Sequence, residues 1–179
     1  TSMDPPLRET MLVRGDIEAI TGFSFTSLLN LEARGVKAED VVIMPYADFG
    51  VKLYGNVIIA SPKLIAENPE AIRKFLKAFA KGTREAIADP AAAIASLKTK
   101  DGLVNTELEI KRLKLTIETA MDSPSARAEG FGRLNPDRLK LMAEQVAAAY
   151  ATKNPVPVEA VWNGAFLPSA AELDVLPKR

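Results

Sequence analysis

The sequence predicts an α/β fold, on two observations. Three short stretches of apolar or β-branched residues fall within the first 60 positions and alternate with helical stretches. From residue 68 onward the chain reads as helix after helix, each opened by Asn or Asp. Strands that alternate with helices argue for a parallel sheet. Three strands are few for so many amphipathic helices, against a usual mean of about five or six. Part of the sheet is therefore expected to be missing on the N-terminal side.

The elements follow in order. Asp4 can cap a helix opened by Pro5 and Pro6, and Gly15 stands where such a helix would end. Ile17 to Thr21 reads as a first strand, broken by Gly22. A helix carrying Leu28, Leu29 and Leu31 follows and stops at Gly35. Val41 to Tyr46 is β-branched and predicts a second strand, interrupted by Pro45. Ala47 to Gly55 is a loop, and Asn56 to Ala60 a third strand before Pro62. Asn68-Pro69-Glu70 supplies a cap, a first-turn proline and a first-turn acid. Ile72, Phe75, Leu76, Phe79 and Ile87 then fall on one stripe. Asp89-Pro90 ends that helix and opens an alanine-rich one through Leu97. Asn105 opens a helix with Ile110, Leu113, Ile117 and Met121 inward, and Asn135-Pro136-Asp137 opens another with Leu139, Met142, Val146 and Tyr150. The tail from Asn154 is proline-rich and irregular.

Composition bounds the chemistry. The 179 residues hold 23 Lys+Arg and 23 Asp+Glu, so no long-range field draws in nucleic acid. There is no cysteine and no histidine. That removes disulfides, thiol catalysis, the usual zinc sites and every Ser-His or Cys-His nucleophile. No metal is expected, and no apolar run approaches the roughly 20 residues a membrane span requires.

Two segments could carry a ligand. In the first, Thr21, Gly22, Phe23 and Ser24 join a predicted strand end to a helix N-terminus, where unpaired N–H groups can hold an anion. The plainer alternative is that Ser24 caps the helix while Phe23 and Phe25 pack inside. In the second, Tyr46, Asp48, Phe49 and Tyr54 sit among two glycines, as in the wall of a small-molecule pocket. The alternative is a crossover loop whose aromatics shield a sheet edge. The letters Asp48-Phe49-Gly50 occur in the magnesium motif of protein kinases, but the companion kinase motifs are absent. Trp162, the single tryptophan, reads as an anchor of the tail on the core. Residues 107–118 read as a solvated helix face, and Glu39 and Asp40 show no partner for acid–base work.

The order of these motifs resembles a known family. GDIEAITGFSF, LEARGV and the long phrase from MPYADFGVKLYGNVIIASPKLIAENPEAIRKF to REAIADP resemble periplasmic substrate-binding proteins of ABC transporters. The branch is the one shared with thiamine-pyrimidine synthases, beside the sulfonate, taurine and nitrate binders. FGRLNPDRLKLMAEQV and VWNGAFLP resemble that family's C-terminal end. The resemblance implies part of a two-lobed, type II periplasmic-binding-protein fold: residues 1–46 ending lobe two, 47–55 forming the hinge, and 56–179 the C-terminal part of lobe one.

It also implies a function. Thr21, Gly22, Phe23 and Ser24 match a cleft-facing loop, and Tyr46, Asp48 and Phe49 match the hinge. Together they would grip a small polar, aromatic or anionic solute. The expected partners are that solute and an ABC permease, with no nucleic acid, no cofactor and no catalysis. Self-association, or pairing with a missing N-terminal segment, is expected to cover exposed strand edges. The implied location is the periplasm, with the signal peptide outside this chain. The alternative is an enzyme of the pyrimidine-synthase branch, which implies pyridoxal phosphate, iron and a histidine that this chain lacks.

Overall fold

The structure, a computed structural model, describes residues 3–153 and 156–178. The α/β expectation fails: among the described residues the regular structure is entirely helical, with no strand and no sheet. Each predicted strand is open chain. Ile17 to Thr21 is irregular with a single bend at Glu18, and the stretches 41–45 and 51–60 run without a ladder partner. Val41 has extended dihedrals, φ −104° and ψ 119°, yet nothing pairs with its neighbours. Val42 is 86% exposed and Ile59 87%. β-branched composition records how well a residue fits a half-buried pleated surface, and such a surface exists only when another strand supplies it. These segments have the propensity without the partner.

The helical readings hold, because their signals are local. A single turn at Pro5–Leu7 leads into α1 (Arg8–Arg14), which Gly15 ends in the left-handed region at φ 74°. α2 (Ser24–Glu32) buries Leu29 and Leu31. α3 (Pro62–Glu67) and the long α4 (Pro69–Ala88) follow. Asn68 stands before α4 but its side chain makes no capping bond. Asp89, by contrast, accepts from Ala92 N and opens α5 (Pro90–Lys98). Asn105 accepts from Leu108 N and opens α6 (Thr106–Thr116), which widens into a π-turn at Ile117–Met121. After α7 (Pro124–Glu129), Asn135 accepts from Arg138 N and opens α8 (Pro136–Ala149). Short helices α9 (Val158–Val161) and α10 (Ala170–Leu173) complete the chain.

α4 packs on α5, α5 on α6, and α6 on α2, which also touches α1. The Lys111–Glu32 ion pair ties α6 to α2. The main core lies where the tail returns to α4: Ala80, Leu173, Val175 and Leu176 are buried, with Ile87, Ala126, Phe131 and Leu167 around them. Three cations of α4 fasten that tail. Arg73 donates to Ala165 O at 2.8 Å and lies over the Phe166 ring. Lys77 pairs with Glu172 at 2.7 Å. Arg84 donates to the carbonyls of Ala171, Glu172 and Asp174 at 2.7–3.2 Å, satisfying the open end of α10.

The predicted stripes are buried unevenly. Ile72 and Leu139 are buried, whereas Phe75 and Phe79 of α4 are 55% and 45% exposed. The accessible surface is 12,765 Å², against about 8,500 Å² for a compact monomer of this mass. The chain is open, and much of what it leaves open is apolar.

Candidate functional site

Both predicted ligand segments lie at the surface. Arg8 of α1 donates from Nη1 to Thr21 O at 2.8 Å and holds the loop entering α2. A methyl group on Gly22 would come within 2.8 Å of Ser27 Oγ, so glycine lets the loop pass close over the helix. Phe23, rather than Ser24, occupies the capping position. Its carbonyl accepts from Thr26 N and Ser27 N at 2.9 Å. Ser24 is the first helical residue, and no side chain caps the turn. The capping role weighed for Ser24 is thereby excluded, and the leading N–H groups of α2 have no side-chain acceptor. The two phenylalanines do not enter a core: Phe23 is 47% exposed and stacks on Phe25 at 5.2 Å.

Tyr46, Asp48 and Phe49 share one turn, Tyr46–Phe49, which Pro45 begins and Gly50 closes at φ 82°. Asp48 N donates to Pro45 O, and Val51 N to Tyr46 O. The backbone is thus tied up within the turn, while all three side chains face out. Aromatic faces and one carboxylate on a short rigid turn can stack on a flat solute and accept its N–H. Among the described residues, no hydrogen bond, ion pair or ring contact joins this turn to the 21–24 loop.

The next stretch is clamped by residues that sequence reasoning did not single out. Arg138 of α8 donates from Nε to Lys52 O at 3.1 Å and from Nη2 to Leu53 O at 2.8 Å, with its guanidinium over the Tyr54 ring. Tyr54 Oη accepts from Asn135 N at 2.8 Å. Gln145 donates from Nε2 to Gly50 O at 2.9 Å. Arg138 and Gln145 stand seven positions apart, two turns along one face of α8. Residues 50–54 hang on that face, so α8 sets where the Tyr46–Phe49 turn begins its return. The available sequence signal was that i, i+7 spacing of two long donors behind the Asn135 cap.

No group of His, Cys, Asp or Glu suited to a metal ion occurs among the described residues. No helix among them is long and apolar enough to cross a membrane. Residues 6–93, which contain both ligand segments, match the family model described as NMT1/THI5 like. That match supports the resemblance to the NMT1/THI5-like periplasmic binding family that the motif order indicated. No curated protein and no solved structure matches the chain significantly.

Proposed function

We propose that the chain captures a small solute for an ABC-type importer, and does so without catalysis. The observation that carries this reading is the NMT1/THI5-like match across both surface segments, Thr21–Ser24 and Tyr46–Phe49. On this reading the α2 loop offers N–H donors to an acidic group. Tyr46 and Phe49 offer ring faces, and Asp48 accepts from an amine or ring N–H. Asp48 then acts as the polar selector, and the five side chains Phe23, Ser24, Tyr46, Asp48 and Phe49 line one continuous concave surface. A periplasmic setting and an ABC permease as the acceptor of the solute belong to the same proposal.

The family also includes pyrimidine synthases, and that reading competes. The 179 residues contain no histidine, the residue that the synthase resemblance implies as a substrate. The reaction class is decided by incubating the chain with pyridoxal phosphate and ferrous iron, with mass spectrometry of the products and of the protein. Solute capture predicts unmodified protein, no pyrimidine product, and saturable binding of an aminopyrimidine or a sulfonate in parallel calorimetric titrations. Release of a pyrimidine would overturn it.

A further inference from the structure

A second cleft lies outside the family-matched segment. It opens between the turn that leaves α7 and the returning tail, with a volume of about 420 Å³, inside the range of small-molecule sites. Glu129 and Arg133 stand on one side, and Trp162, Leu167 and Pro168 on the other. Gly130 and Gly132, at φ 99° and 78°, turn the chain sharply between the two charged residues.

The opposing wall is fixed by bonds already described, the Arg73 contacts with Ala165 and Phe166. Phe131 N also donates to Leu173 O at 3.0 Å, locking the turn to the tail. Three residues that line this space carry polar groups without partners among the described residues. They are the Glu129 carboxylate, the Arg133 guanidinium and the Trp162 indole N–H, and Glu129 and Arg133 form no ion pair with each other. Trp162 is half-buried, with its indole against Gly164. It lines the cleft.

An anion site would not place a carboxylate beside its arginine, and a cation site would not place an arginine beside its carboxylate. One acid and one base that do not pair, facing an aromatic ring and two aliphatic side chains, suit a ligand carrying both charges. From this geometry we infer that the cleft binds a small zwitterion of the α-amino-acid class. Glu129 receives the ammonium, Arg133 holds the carboxylate in its two-pronged geometry, and the side chain lies against Trp162 and Leu167. This site is independent of the solute proposed for the 21–24 and 46–49 segments.

Trp162 is the only tryptophan of the chain, so its emission reports on this cleft alone. The full chain is titrated with L-leucine, with 3-methylbutylamine, which lacks the carboxylate, and with 4-methylpentanoate, which lacks the ammonium. Equilibrium dialysis of the same mixtures reads binding that leaves the emission unmoved. Leucine is expected to bind saturably, and each truncated compound at least about tenfold more weakly, the scale of one lost charge-assisted bond. Glu129→Gln and Arg133→Gln, with the helical circular dichroism of the parent, should each weaken leucine by a similar factor. Absence of saturable leucine binding would overturn the assignment. So would equal affinity for all three compounds, or leucine affinity unchanged in both variants.

Discussion

Glu172 shows how single side chains hold this molecule together. It accepts from Lys77, from Ser169 Oγ at 2.8 Å and from Ser169 N at 3.0 Å, closing a capping box on α10. Lys77 first, and then Ser169, lower its pKa from 4.5 to about 2, while the same contact raises that of Lys77. A carboxyl whose pKa is depressed in the folded state stabilises fully above its unfolded value, and that contribution fades as pH falls through the folded one. Between pH 4.5 and about 2 the tail should therefore loosen from α4. Urea midpoints measured across that range should fall, and Glu172→Gln should flatten that part of the profile. Gly130 gives a second prediction. At φ 99° and ψ 154° it occupies a region nearly closed to side chains, and a Cβ would stand 3.3 Å from Leu173 Cβ. Gly130→Ala should cost about 1–3 kcal/mol of stability by denaturant unfolding.

At the scale of elements, the helices were legible and the strands were not. Asp89, Asn105 and Asn135 each accept the N–H three residues on, as their positions before helical stretches predicted. A capping bond is decided within one turn of chain, so sequence carries these three, whereas Asp4 and Asn68, in equivalent positions, make no capping bond. The stretches 41–45 and 56–60 depend on a partner strand that sequence spacing cannot supply, and they stay open. Ser24 was misplaced by one position, because Phe23 takes the cap with its backbone alone. The clamp of Arg138 and Gln145 on residues 50–54 joins positions more than 80 apart, and the i, i+7 spacing of the two donors marks a shared face of α8 without naming what that face holds. Arg138→Ala would release two carbonyls and one ring face. It should lower stability by about 1–2 kcal/mol and raise amide exchange at residues 50–56 above that of α4.

For the whole molecule, surface area is the deciding quantity. The 12,765 Å² exposed exceeds the compact-monomer value of about 8,500 Å² by roughly 4,000 Å². Val42, Ile43, Met44, Val57, Ile58 and Ile59 contribute to the excess, each at least 49% exposed. Extended apolar segments without ladder partners favour pairing with another chain. Sedimentation at micromolar concentration should show a dimer or larger assembly, and Ile59→Lys should shift it toward monomer. A monomer at every concentration would show that this surface stays open in solution.

Solute capture by the Thr21–Ser24 and Tyr46–Phe49 segments is tested most directly by calorimetric titration of the wild-type and Asp48→Ala chains. The ligands are taurine, nitrate and an aminopyrimidine. Saturable binding of at least one by the wild type is predicted. Where that ligand carries an amine or ring N–H, a loss of tenfold or more is predicted in Asp48→Ala, about 1.4 kcal/mol or above. Undiminished affinity of such a ligand in Asp48→Ala, or binding of none of the three by the wild type, would contradict it.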